Sequence, residues 1–378
     1  MAALTGRPSA GAAESVLVVN TGSSSVKLRL VGGDGTMLAR HDVEGWDGDP
    51  AGAGVAEFAA ALDGEPAAVA HRVVHGGDET RPAVLLDDPV RAALAELADL
   101  APLHQPRALA AIDAATAALP GVPQVACLDT AFHTTIPPAA ATYALPQEWR
   151  ERWGLRRYGF HGLSHGYASR RAAELVGPGR PVRRVVTLHL GAGASGCAVL
   201  DGRSVDTTMG FTPLDGLVMN TRSGSVDPGL LVWLLRHGLD VDALGHGLDH
   251  DAGLLGLAGV PDLRTVAARR AGGDPRAGLA WDVYVHRLAG ATAGLVTSLG
   301  GLDVLVFTGG VGEHMPALRS AVAARLAHLG VALDAARNDT TTSDGVIGAA
   351  VAAAGTVVVT AREDLAMADH TRRLLSER

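Results

Sequence analysis

Apolar positions in this chain fall in short runs that glycine, serine or proline closes. Residues 16–19 are four aliphatics in a row, which predicts a buried strand. Residues 26–31 alternate apolar with basic side chains and predict a second strand paired with it. Between them Asn20, Thr21, Gly22, Ser23, Ser24 and Ser25 make a turn. Residues 67–74 read as a strand ending in His75-Gly76-Gly77, 90–100 as an amphipathic helix, 101–106 as a proline-bounded loop, and 107–119 as a helix. Residues 125–128 form a buried strand that delivers Asp129 at its carboxyl end. A Pro-, Trp- and Arg-rich stretch, 134–160, follows as an excursion between domains. The glycine-rich loop 156–165 then feeds a helix to 175.

The pattern starts again near the middle. Residues 184–200 are strand, small-residue turn, strand, as at the start of the chain. Residues 210–227 make a long loop with a single arginine, Arg222, followed by a helix over 229–237. Residues 303–314 read as a strand and a glycine turn, with a helix from Pro316 to about residue 329. Residues 345–361 read as a helix and then a strand at 356–360, before a terminal helix that follows Arg362-Glu363-Asp364. The repeated strand–turn–strand predicts two similar α/β domains, each offering a phosphate turn to one cleft.

Composition narrows the function. A length of 378 residues favours two domains, and 47% hydrophobic with 19% charged residues is globular. A formal charge of -8 and an aromatic content of 4% argue against a nucleic-acid surface and base-stacking platforms. Cys127 and Cys197 sit in apolar, strand-like runs, which suits free buried thiols in a reducing cytoplasm. Residues 1–15 lack the apolar stretch of a secretory signal and read as a disordered tail; no segment reads as a membrane span. Lys27 is the chain's only lysine and stands beside the hydroxyl-rich turn. A compact ammonium next to convergent N–H and O–H groups suits a phosphate. The G-G-x-G at 309–312, after a strand and before a helix, suits one as well.

Ten stretches, in order from residue 16 to the terminal helix, resemble the acetate kinase family of the acetate and sugar kinase, heat-shock and actin superfamily. They are VLVVNTGSSSVK, HRVVHGG, LAPLHQP, LDTAFH, YGFHGLSH, HLGAGAS, DTTMGFTPLDGLVMNTRSGSVDPG, GLAGVPDLR, VFTGGVGEH and AREDLAMA. The resemblance implies two ribonuclease-H-like (actin-like ATPase) α/β domains flanking a central cleft. The first would be 16–130 with the returning 364–378; the second, for nucleotide binding and dimerisation, 131–363. It implies reversible in-line transfer of the ATP γ-phosphoryl group to acetate, giving acetyl phosphate and ADP. Mg²⁺ would be required, with Mn²⁺ as an alternative, in a cytoplasmic homodimer without nucleic-acid or membrane partners.

The same resemblance implies roles for residues. Asp129, Arg72, Arg222, His161 and His104 would be catalytic, the two arginines gripping planar oxyanions. Arg72, Val74, Leu103, Phe160 and Pro213 would hold the acyl group. Ser23, Ser25, Lys27, His189, Gly191, Ala192, Gly193, Asp262, Leu263, Arg264, Gly310, Gly312 and His314 would hold the nucleotide. Asn20 and Glu363 would hold the metal. His133 and His165 are expected to be structural neighbours.

Four positions depart from the family pattern: Ala192 and His314 stand where it has asparagine, Leu163 where it has threonine, and Gln105 where it has asparagine. The first two bear on the donor, the third on the acid, and the fourth reads as minor. Two alternatives stay open: a propionate or butyrate kinase, and a catalytically weak nucleotide-binding regulator.

Overall fold

The structure is a computed structural model that describes residues 14–22, 25–102, 104–177, 179 and 181–377. It divides into two compact units, 1–134 with 160–164 and 362–378, and 135–159 with 165–361. Residues 131–134, 160–164 and 362–363 therefore belong to the first unit rather than to the span 131–363.

The first unit is built on a six-stranded sheet, β1 Val16–Thr21, β2 Ser25–Val31, β3 Met37–Glu44, β4 Ala68–Val73, β5 Ala83–Leu85 and β6 Gln124–Leu128, in the order β3-β2-β1-β4-β6-β5. β1 and β4 run parallel, as do β4 and β6, while β2, β3 and β5 are antiparallel to their neighbours. Both faces are covered, so β1 is apolar almost throughout. Leu17, Val19 and Val69 pack with Ala111 and Ala115 of the helix Gln105–Ala118. The other face meets the helix Glu363–Ser376, where the Cys127 thiol points to the Met367 carbonyl and the Thr371 hydroxyl.

The second unit repeats this plan with β7 Arg184–Leu190, β8 Ala194–Leu200, β9 Arg203–Thr207, β10 Val304–Thr308, β11 Gly345–Val346 and β12 Gly355–Val358. Its order, β9-β8-β7-β10-β12-β11, and its strand directions match the first sheet strand for strand. Even the ladder irregularity recurs on the third strand's partner, at Leu30/Val31 and at Ala198/Val199. The 25-residue helix Pro275–Leu299 lies along this sheet and buries Leu288, Leu295 and Val296.

Several expectations need correction. The helix expected over 90–100 runs Asp88–Glu96 and gives way to a 3-10 turn, Ala98–Leu100. Gln105 and Pro106 are not loop but the first turn of the next helix. The glycine turn after β10 is itself a helix, Gly309–His314; the following one ends at Arg325. No helix forms between 345 and 355: the Ile347 and Gly348 N–H groups both bond the Thr356 carbonyl, which holds this segment extended against β12. Ser15, placed in the tail, is buried and accepts from the Ala67 N–H at 2.8 Å; residues 1–13 lie outside the described residues. Cys127 and Cys197 are free and buried, and burial pushes both thiols up to about 12. Among the described residues no helix is long and apolar enough to cross a membrane.

Candidate active site

Strand alternation decides which side chains can meet. Val16, Val18 and Asn20 share one face of β1; register carries that face to Lys27 on β2, Arg72 on β4 and Cys127 on β6, and from Cys127 to Asp129 just beyond. Asn20, Arg72, Cys127 and Asp129 are at the carboxyl ends of β1, β4 and β6, and Lys27 lies near the start of the antiparallel β2. The helix Glu363–Ser376 covers this face and begins with Glu363. A polar chain results. Arg72 Nε and Nη2 donate to Asp129 Oδ2 at 2.9 and 2.7 Å, Arg72 Nη1 approaches Asn20 Oδ1 at 3.5 Å, and Asn20 Nδ2 donates to Glu363 Oε2 at 2.8 Å.

Asp129 is wholly buried and its Oδ1 has no hydrogen-bond partner. Burial raises its carboxyl above the usual range, against the pull of Arg72. Burial also works against the Arg72 charge, but Asp129 and Glu363 outweigh it and hold the guanidinium above its usual value. An orphaned carboxylate oxygen beside an amide oxygen and a second carboxylate is a set of hard donors, which fits Mg²⁺.

The loop before the helix Gly162–Val176 closes on Asp129. The Gly162 N–H donates to the Asp129 carbonyl at 3.1 Å, and any side chain at 162 would collide with that carbonyl. His161, next to it, sits at φ 57°, a left-handed conformation strained for a non-glycine residue. Phe160 and Val74 are buried, and the Phe160 ring meets His75 edge-on at 5.5 Å. His133 Nε2 bonds the Phe160 carbonyl at 2.9 Å. His104 is half-buried directly before the helix Gln105–Ala118. Ser23 and Leu103 lie outside the described residues; Ser25 opens β2 and Lys27 is exposed on it.

In the second unit, Gly191, Ala192 and Gly193 form the turn between β7 and β8, with the Gly191 N–H bonded to the Gly193 carbonyl at 2.9 Å. His189 and Ser195 pair across the turn. His165 fastens the two strands below it, Nδ1 to Thr187 Oγ1 at 2.7 Å and Nε2 to Ser195 Oγ at 2.8 Å. The Asn220 N–H donates to the Ala192 carbonyl at 3.2 Å, so this turn is tied to the loop that carries Arg222. Arg222 Nη1 donates to the Pro213 carbonyl at 3.0 Å and forms no ion pair among the described residues. Burial pulls its guanidinium below the usual value, with Asp249 opposing. Gly253, at φ 57°, packs where a side chain would strike the Met219 and Arg222 carbonyls, so only glycine fits behind this loop. Gly310 is exposed, Gly312 is buried, and His314 is exposed at the end of its short helix. Asp262 caps the helix Leu263–Ala271 by accepting from the Thr265 N–H and hydroxyl at 2.9 and 2.7 Å; Leu263 is core and Arg264 is exposed.

Residues 56–369 match the family model described as the acetokinase family. The chain belongs to the acetokinase family. Among its acetokinase relatives, an acetate kinase of Nostoc punctiforme is 48% identical over 309 residues, 81% of this chain and 76% of that one. An acetate kinase of a Synechococcus strain is 40% identical, with 95% of this chain and 99% of the relative covered. The crystal structure of Porphyromonas gingivalis acetate kinase superposes with a TM-score of 0.86 at 35% identity, covering 96% and 99% of the two chains. A propionate kinase from Francisella tularensis superposes with a TM-score of 0.87 at 34% identity, covering 94% and 98%. Actin-like ATPase architecture follows for both acetokinase units, each with its six-stranded mixed sheet.

Two buried residues in this acetokinase chain carry more than their sequence positions suggested. Gln105, read as minor, is fully buried; its Nε2 donates to the His75 and Leu94 carbonyls at 3.0 and 2.9 Å, and its Oε1 faces the His75 N–H at 3.3 Å. It holds the backbone next to Val74. Arg319 was not singled out, although it interrupts the apolar stripe of Met315, Val322 and Leu326; a charge at a core position was the available signal.

Proposed function

We propose that this chain is a phosphotransferase that moves the γ-phosphoryl group of ATP reversibly to acetate, giving acetyl phosphate and ADP. The observation that carries this reading is the hydrogen-bonded run of Glu363, Asn20, Arg72 and the buried Asp129, gathered at the carboxyl ends of three strands and the start of the terminal helix. In-line transfer forms a bond from an acetate oxygen to the γ-phosphorus while the bond to the ADP oxygen breaks. It asks a protein for placement and charge neutralisation rather than a covalent intermediate. Arg72, oriented by Asp129, would hold the acceptor carboxylate, and Arg222, which forms no ion pair among the described residues, would take the transferring oxyanion. His161 would add a donor at the same oxygens. Asn20 and Glu363 would hold Mg²⁺, which supplies charge neutralisation on the phosphates. The glycine turn at 191–193 and the short helix Gly309–His314 would hold the nucleotide. Val74, Phe160, Pro213 and Leu103 would enclose the methyl group.

A homodimer in the cytoplasm belongs to the same proposal. Leu230, Val232 and Trp233 are 46%, 46% and 53% exposed on one short helix, Pro228–Arg236, which suits a second copy of the chain. Light scattering would test that. The deciding experiment for activity is acetate-dependent ADP formation with hydroxylamine trapping of the acyl phosphate, run with acetate, propionate and butyrate. Equal efficiency on butyrate would replace acetate kinase with a broader short-chain acid kinase. No trapped product with any acid would leave the nucleotide-binding regulator.

A further inference from the structure

Among the described residues Arg319 is the largest side chain that is wholly buried, and none of their acids lies within ion-pair distance of it. An arginine in a core without a carboxylate costs several kcal/mol unless its donors are used. They are used in one place. Nη1 donates to the Gly312 and Glu313 carbonyls at 2.9 and 2.7 Å. Nε and Nη2 donate to Asn338 Oδ1 and the Asn338 carbonyl at 2.7 and 2.6 Å. Asn338 is equally buried and is fixed in turn, its Nδ2 donating to the Pro316 carbonyl and Ser320 Oγ at 3.1 and 3.0 Å.

The two helix carbonyls explain the arrangement. Gly309–His314 is six residues long with three glycines, and such a segment does not hold a helix by itself. Its start is pressed against the Leu190 carbonyl through Gly309, and its last turn leaves carbonyls without partners. A guanidinium there satisfies two of them and places positive charge at the negative end of the peptide dipoles. Glu313, 7% exposed, adds a second tie through the Ala361 N–H at 2.9 Å.

We propose that Arg319, clamped by Asn338, is a positioning residue for nucleotide binding that holds Gly309–His314 in its binding shape. This rests on the reading of Gly310 and Gly312 as nucleotide contacts. The Arg319→Lys enzyme keeps the charge and loses the fork; its Kd for Mg-ADP by calorimetry should rise about tenfold, and that of Arg319→Met by about a hundredfold. KM for acetate and kcat at saturating ATP should stay within about threefold of wild type in both. Unchanged ADP affinity overturns the proposal. So does a parallel decline of ADP affinity, acetate KM, kcat and thermal midpoint, which would make Arg319 a core residue only. Should neither variant fold, Ser320→Ala, which removes an exposed partner of Asn338, decides: ADP Kd should rise about two- to threefold, and no rise overturns the proposal.

Gly310→Ala separates this from the underlying reading, because a methyl at 310 meets nothing within 4 Å in the protein itself. Weaker ADP binding by Gly310→Ala with silent Arg319 variants defeats only the role of Arg319. Silent Gly310→Ala defeats the nucleotide reading of the segment and this inference with it.

Discussion

On the proposed function Arg222 would be an anion receptor: it is half-buried, bonded to the Pro213 carbonyl, and has no acid at ion-pair distance among the described residues. Arg222→Ala should lower kcat by roughly 10²–10³, the usual cost of one charge-stabilising donor, and Arg222→Lys should restore little because a point charge cannot grip two oxygens. Wild-type turnover in Arg222→Lys would refute the assignment. Val74 is a second test. It is buried next to His75, so on the proposed function kcat/KM should fall from acetate to propionate to butyrate, and Val74→Ala should narrow the gap, since one methylene is worth about 1–3 kcal/mol. A gap that Val74→Ala leaves unchanged would move the size filter elsewhere. Residues of this kind were proposed through the family resemblance, with strand ends and glycine loops giving only their placement. Gln105 and Arg319 were not, because their work is done on main-chain carbonyls distant in sequence, and an amide or arginine in a helix looks the same whether it faces solvent or core.

At the scale of elements, the helix Gly162–Val176 begins where its first N–H can reach Asp129, and the contact is so close that only glycine fits. Gly162→Ala must push this start away, together with His161. We expect kcat to fall about 10²-fold, in line with misplacement by about 1 Å, with little change in nucleotide affinity. Full activity in Gly162→Ala would show that this contact does not place His161. The strands were easy to read because β1, β6 and β10 each carry four apolar residues in a row. Gly309–His314 was harder: three glycines argue for a turn, and the helix exists because both of its ends are tied to other segments. Residues 345–355 mislead in the opposite way. Their alanines suit a helix, but the Thr356 carbonyl offers bonds that keep the segment extended.

For the molecule as a whole, acid should act on the first unit through its buried histidines. Burial pushes His71 and His133 down to about 4, although His71 bonds Gln124 and His133 bonds the Phe160 carbonyl. Unfolded, both would take a proton near pH 6.5. The unfolded chain therefore binds more protons between these values. Stability is complete above about pH 6.5 and falls as the pH drops toward 4, by up to about 3 kcal/mol for each histidine. Urea midpoints measured from pH 7.5 to 4.5 should decline over that window, and His133→Gln should flatten part of the decline. A midpoint independent of pH between 7 and 5 would contradict the buried neutral state of these rings. Lys27 gives an independent view of the same unit. It is the chain's single lysine, and its backbone is locked in a ladder on both sides, opposite Asn20 on β1 and Asp42 on β3. A protease specific for lysine thus has one peptide bond to cut, Lys27–Leu28, and it can be cut only when β2 leaves the sheet. When opening and closing are fast relative to cleavage, the rate of that single cut reads the free energy of opening. The chain carries its own unfolding gauge, with two fragments and no engineered label.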